Sequence, residues 1–184
     1  MSQHGLTLLE LLIAVLISAM TMAFIVPLTT TFLKKQEAER ITDELYHLCI
    51  FARAEAAYLK KPLTLCGSST GHFCDHNWAQ GALLFIDNNR NHVFDEGELP
   101  LKYSAFNLSP SILKWKGFGG KTLHIEAFGI PFASNGSFTY CSADKDRLFS
   151  KQIIVSRSGR ARHSHDNNGD GIDEAIDGGD INCD

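Results

Sequence analysis

LTLLELLIAVLISAMTMAFIVPLTTTFL, residues 6–33, carries a single charged side chain, Glu10. It exceeds the ~20 apolar residues that a helix needs to cross a hydrocarbon core. A secretory signal peptide fits poorly. The start Met1-Ser2-Gln3-His4 has no Lys or Arg, and no small-x-small site closes a short apolar core. A plain membrane anchor leaves Glu10 unexplained, because a carboxylate inside such a helix costs ~2.5–3.5 kcal/mol even on the lenient insertion scale. A free α-amino group at the same depth, exposed at a new N-terminus, would neutralise it.

Beyond Leu33 the helical period continues. Ile41, Leu45, Cys49, Ala52, Ala56 and Leu59 recur at three- and four-residue spacing, with Lys34, Lys35, Glu37, Glu39, Arg40, Asp43 and Glu44 on the other faces. Pro62 ends the pattern. One helix from about Leu6 to Lys60 would be ~80 Å long at 1.5 Å per residue. Its second half is an apolar stripe awaiting a sheet, and Cys49 on that stripe reads as a buried thiol acting as a small hydrophobe.

From residue 63 the period changes to short runs punctuated by Gly, Asn and Pro. Leu63–Cys66, Gly81–Ile86, Glu98–Ser104, Lys121–Ile125, Gly136–Cys141 and Gln152–Ser156 read as strands. The fold class is therefore α+β, a long N-terminal helix packed on a mainly antiparallel β-sheet domain. Residues 6–33 are its apolar, membrane-spanning half, 34–62 its amphipathic half, 63–163 the globular β domain and 164–184 an acidic tail. No CxxC pair or zinc-spaced Cys/His cluster occurs among the five cysteines. Outside the cytoplasm, up to two disulfides are expected. A Cys66–Cys74 bridge would close a loop of about nine residues, worth ~2–3 kcal/mol. A Cys141–Cys183 bridge would tether the tail, although sequence alone does not settle the pairing.

Gly5-Leu6-Thr7-Leu8-Leu9-Glu10 resembles the class III signal of type IV prepilins and type II secretion pseudopilins, with Leu6 in place of the usual Phe and no basic residue in the leader. The resemblance implies a leader of residues 1–5, cleavage by a prepilin peptidase between Gly5 and Leu6, and N-methylation of Leu6. It makes Glu10 the assembly carboxylate that pairs with an N-terminal amine, and Pro27 the helix-kinking proline of such anchors. The later segments resemble the FimT/FimU/GspH group of minor pilins and pseudopilins. They are Cys66…Cys74, Trp78-x-x-Gly81, Phe85-x-Asp87-x-Asn89, Phe138 near Cys141, and Ile154 through Arg162. The implied partners are other pilins, the peptidase and a bacterial inner membrane, with the β domain in the periplasm.

The net charge of −4 hides a division. Residues 166–184 hold seven acids and no Lys or Arg, so the remainder of the chain is +3. Residues 147–165 hold Arg147, Lys151, Arg157, Arg160 and Arg162 and no acid. Two arginines at i and i+2 point to the same side of an extended chain, and guanidinium forks suit phosphate oxygens. Gly159-Arg160-Ala161-Arg162 also resembles the GRxR motif of FimT-type minor pilins of competent bacteria, which implies non-specific binding of double-stranded DNA during natural transformation. The candidate contacts are Arg160, Arg162, Arg157 and Lys151, widened by Arg147, His163 and His165. The alternative is a solvated strand end whose arginines serve solubility or touch neighbouring subunits.

Two segments follow the register of a calcium loop, in which oxygen ligands at alternate positions converge through a tight turn. In the tail, Asp166, Asn168, Asp170, the Ile172 carbonyl and Asp177 fall on ligand positions, with Gly171 sixth. A flexible acidic tail is the equal alternative. A metal-free tail could also fold back on the arginine patch. Residues 87–98 keep the same register with His92 replacing the turn Gly, and a polar hairpin explains them at least as well, so no metal is expected there. No GxSxG, Walker or HExxH motif occurs, and His163-Ser164-His165-Asp166 is the only histidine cluster; nothing argues for catalysis. Three readings follow. They are a DNA-binding minor pilin, a type II secretion pseudopilin without DNA binding, and an anchored ligand-binding domain that never enters a filament.

Overall fold

The computed structural model describes residues 7–131 and 133–183; Gly5 and Leu6, the expected processing site, lie outside them. Helix α1 spans Leu8–Leu59. Thr7 and Glu10 start it as a reciprocal cap. The Glu10 carboxylate accepts from the Thr7 N–H (2.9 Å) and hydroxyl (3.0 Å), and the Thr7 Oγ1 accepts from the Glu10 N–H (3.3 Å). Lys60 leaves the helix in the left-handed region at φ 54°, and Pro62 cannot continue it.

Two compact units divide the chain, the first ending at Glu37 and the second beginning at Ala38. In the first, the helix exposes Leu8, Leu12, Val15, Met22, Leu28 and Phe32. An 18-residue window of α1 has mean hydropathy 2.6, apolar enough to cross a membrane. Its hydroxyls are satisfied by the helix itself: Ser18 donates to the Ala14 carbonyl (2.8 Å) and Thr29 to that of Ile25 (2.7 Å). Polar atoms with internal partners are what an apolar surrounding requires.

Among the described residues of the second unit, eight strands form two antiparallel sheets. β1 (Leu63–Gly67), β2 (Gly81–Ile86), β3 (Pro100–Ala105) and β5 (Leu123–Ile125) are ordered β3-β2-β1-β5. β4 (Ile112–Gly117), β6 (Gly136–Cys141), β7 (Lys151–Val155) and β8 (Ala161–His163) are ordered β4-β6-β7-β8. One core joins the helix stripe (Ile41, Leu45, Leu48, Ala52) to both sheets through Leu65, Leu84, Leu123, Phe138 and Ile153. Trp78 and Trp115 flank Phe138 with ring centroids 4.9 and 4.5 Å away. A smaller cluster of Leu83 and Phe85, with Cys66, Cys74 and Phe94, covers the other face of the first sheet. Burial on both faces explains why Ala82-Leu83-Leu84-Phe85-Ile86 is continuously apolar.

Strands β4 and β8 are absent from the sequence-based reading. In β4, exposed Lys114 and Lys116 alternate with buried Leu113 and half-buried Trp115, a period-two pattern punctuated by the glycines that follow. Residues 164–183 are no loose tail. Ser164, Asp173, Ile181 and Cys183 are buried, and the Ile176 N–H donates to the Gln152 side chain of β7 (3.3 Å). Cys66 is joined to Cys74 and Cys141 to Cys183.

Cys49 is the free thiol among the described residues, and burial pushes its pKa up to about 12. The thiolate is the nucleophile, so the native chain should leave Cys49 unalkylated by iodoacetamide at pH 8 and release it only in denaturant. Peptide mass spectrometry checks this; native labelling would place the thiol at the surface.

Candidate nucleic-acid interface

Strands β7 and β8 make a hairpin that carries the sequence-predicted arginines. Register pairs Ile153 with His163, Ile154 with Arg162 and Val155 with Ala161. Ala161 joins the core with Val155 and Ile153, so Arg162 takes the opposite face with Ile154, as strand alternation requires. The turn is tied by Ser156, whose hydroxyl donates to the Arg160 carbonyl (3.1 Å) and accepts from the Arg160 N–H (3.3 Å). Gly159 sits at φ 77°, and a Cβ there would lie 2.6 Å from the Gly129 carbonyl oxygen. Glycine is thus required twice, for the backbone angle and for the close approach of a second loop.

Arg157, Arg160 and Arg162 are exposed, and none of them enters an ion pair among the described residues. Arg157 also lines a cleft of about 250 Å³ with Phe118, Ile130, Pro131 and Asn135. Arg53, exposed on α1, was missed by the sequence reading. Its stem lies 3.2–3.4 Å from where β-carbons would sit on Gly129 and Gly159, which places a fourth guanidinium stem beside the hairpin tip. It lies more than a hundred residues from Arg157 in the chain, and no local pattern could have joined them. Register across the second sheet continues the basic surface. Lys116 opposes Ser137, Ser137 opposes Ile154, and Ile154 opposes Arg162.

The remaining expected basic residues are differently placed. The Lys151 ammonium is held 2.8 Å from the buried Asp173 carboxylate, so this member of the predicted patch is committed to the tail. Arg147 pairs with Asp180. The tail does fold back on basic residues, but on these two rather than on Arg160 and Arg162. His163 turns inward, 3.6 Å from Asp43 and stacked on Tyr46 at 4.9 Å.

In the tail, the Asp166 carboxylate accepts from Gly169 N–H (2.7 Å) and Gly171 N–H (2.8 Å), bonds that hold it below the usual carboxylate range. Asn168 and Asp170 accept from the Asp170 and Ile172 amides, both at 2.8 Å. Asp177 departs from the calcium-loop register. It lies in a separate turn in which Ala175 donates to the Gly179 carbonyl, and its own carboxylate accepts from Gly179. Among the described residues, the tail acids do not gather three to one coordination sphere.

A long apolar-to-amphipathic helix, an antiparallel two-sheet domain behind it and a Glu10-bearing first turn define a type IV pilin-like protein. Residues 42–159 match the family described as type II transport protein GspH, and residues 1–26 match the prokaryotic N-terminal methylation motif. The chain belongs to the GspH family, and with it to the minor pilins and pseudopilins of the FimT/FimU/GspH type. These are structural subunits rather than enzymes. The type IV minor pilin FimU of Pseudomonas aeruginosa (strain PAO1) shares the fold. One crystal form gives a TM-score of 0.52 at 17% identity over 71% of this chain and 90% of that one. A second form gives 0.50 at 15% identity over 69% and 92%. No curated protein sequence matches the chain.

Proposed function

We propose that this chain is a minor pilin that enters or primes a type IV pilus and binds double-stranded DNA without sequence preference, for uptake in natural transformation. The observation that carries the DNA reading is the β7–β8 hairpin, which projects exposed Arg157, Arg160 and Arg162 from a rigid turn. Guanidinium groups on such a turn can each take a phosphate, and Arg53 extends the strip. The binding is electrostatic, with log affinity falling ~0.9 per phosphate contact per log unit of salt. The helix stands in the bacterial inner membrane with the β domain in the periplasm until assembly. Prepilin peptidase cuts between Gly5 and Leu6, and Glu10 meets an N-terminal amine in the filament.

Replacing Arg160 and Arg162 together by Gln should lower double-stranded DNA affinity at least tenfold at low salt and leave thermal unfolding unchanged, since both side chains are exposed. A gel shift with the detergent-solubilised full chain reads this. Equal retardation of wild type and double variant removes the hairpin as the DNA site. A second reading is a type II secretion pseudopilin without DNA binding, favoured by the GspH match over residues 42–159. In a deletion strain, loss of secretion with intact transformation selects it.

A further inference from the structure

The loop after β2 and the strand β5 meet at Thr64 in β1, which is paired with Phe85 on one side and His124 on the other. Asp87, at the end of β2, is fully buried. Its carboxylate accepts from Thr64 Oγ1 (2.7 Å), His92 N–H (3.0 Å) and Asn91 N–H (3.2 Å). These bonds fold the loop so that His92, in the left-handed region at φ 63°, stacks on His124 with centroids 4.7 Å apart. His124 is buried between two acids. Its Nδ1 lies 3.8 Å from Asp87 Oδ2 and 3.0 Å from Thr64 Oγ1, and its Nε2 lies 3.4 Å from Glu126 Oε1.

In the tautomer that carries its proton on Nε2 toward Glu126, His124 Nδ1 keeps a lone pair that faces Asp87 Oδ2 and Thr64 Oγ1; in the other, Nδ1–H donates to the Thr64 hydroxyl, which itself donates to Asp87. One donor atom from each of Asp87, His92 and His124 lies within 4.8 Å of the other two. A cleft of about 240 Å³, lined by Arg90, His92, His124 and Glu126 among others, opens the cluster to solvent.

We propose that Asp87, His92 and His124 form a binding site for a divalent transition-metal ion of the zinc class. Two imidazoles and one carboxylate are the borderline N/O donors that such an ion prefers to the all-oxygen shell of calcium or magnesium. Tetrahedral bonds of 2.0–2.1 Å set donors ~3.3 Å apart, so the cluster has to contract by up to ~1.5 Å, within reach of side-chain rotation. Glu126 orients His124 from behind, as a carboxylate behind a metal-bound imidazole does. Arg90, paired with Glu126 at 3.1 Å, limits the local negative charge, so the site suits one ion of two charges. Filling it would lock the β2–β3 loop to the β1–β5 edge of the sheet.

The test uses the full chain in detergent, stripped with chelator and titrated with Zn2+ or Ca2+. One equivalent of Zn2+ should bind, and at a hundredfold excess over Kd the Tm should rise by ~5–10 °C. His92→Asn keeps a residue that tolerates the left-handed backbone, so its metal-free Tm should match wild type while Zn2+ affinity falls at least tenfold. The proposal is overturned by no Zn2+-dependent rise in wild type, by an undiminished rise in His92→Asn, or by a rise with Ca2+ alone. The last result would move the ion to the oxygen side chains of the same loop, where Glu98 Oε1 is buried without a hydrogen-bond partner.

Discussion

Glu10→Gln should leave the cap of α1 intact yet reduce incorporation of the chain into filaments about a hundredfold, the factor that corresponds to ~2.5–3.5 kcal/mol for a charge left unpaired in an apolar setting. The substitution is decisive because the capping role of Glu10 seen in the structure and the proposed pairing with a filament amine are separable. As a capping residue it accepts hydrogen bonds from the Thr7 N–H and hydroxyl, and a Gln amide oxygen can accept both. As the proposed charge partner for an amine in the filament it needs the carboxylate, which Gln lacks. Glu10→Ala removes both functions and should fail as well, so only Gln separates them. Sheared-filament and membrane fractions, compared by immunoblot after mass spectrometry has verified N-terminal processing, give the ratio. Incorporation of the Gln variant at wild-type level reduces Glu10 to a helix cap and removes the electrostatic account of assembly.

Opening the Cys141–Cys183 bridge as a Cys141→Ser/Cys183→Ser pair should lower unfolding stability by about 4 kcal/mol in the loop-entropy account. The two cysteines are 42 positions apart, against 8 for Cys66 and Cys74, so the long bridge has the larger effect. The same bridge fixes the last buried contacts of the tail, Ile181 and Cys183 itself, against the second sheet. Without it the tail is retained by the Lys151–Asp173 and Arg147–Asp180 ion pairs and the Gln152–Ile176 hydrogen bond. The exposed Arg147 pair contributes little, while Asp173 is buried and also accepts from the Ser164 hydroxyl at 2.6 Å. Residues beyond Asp173 should therefore become sensitive to protease before the sheet unfolds. Denaturant unfolding followed by tryptophan fluorescence, with limited proteolysis alongside, measures both effects. A stability loss under ~1 kcal/mol would show that packing alone holds the tail.

Local pattern carried much of this fold. A 3.6-residue period marks the amphipathic half of α1, apolar runs bounded by turn residues mark β2, β6 and β7, and Pro62 marks the end of the helix. Each of these signals acts within a few residues, so each is written in the order of the chain. Thr7 and Glu10, three positions apart, are equally local, and the cap they form could have been read from the Thr-x-x-Glu spacing. The run of arginines was legible as a local basic stretch, but strand β8, which makes it one arm of a hairpin, was not.

The rest depended on register between distant segments. Sequence by itself determined a single apolar anchor, a helix stripe that needs a sheet, and a basic stretch followed by an acidic one. Only the tertiary structure decided that the strands divide into two sheets and that the acidic segment packs as their outer cover, holding Lys151. It alone placed Arg53 beside Gly159 and His124 between Asp87 and Glu126. Antiparallel pairing of β1 with both β2 and β5 brings Thr64, Asp87 and His124 together across 60 residues of chain. Such meetings are set by hydrogen-bond register and shared core burial, and a one-residue slip would turn each of those side chains to the opposite face.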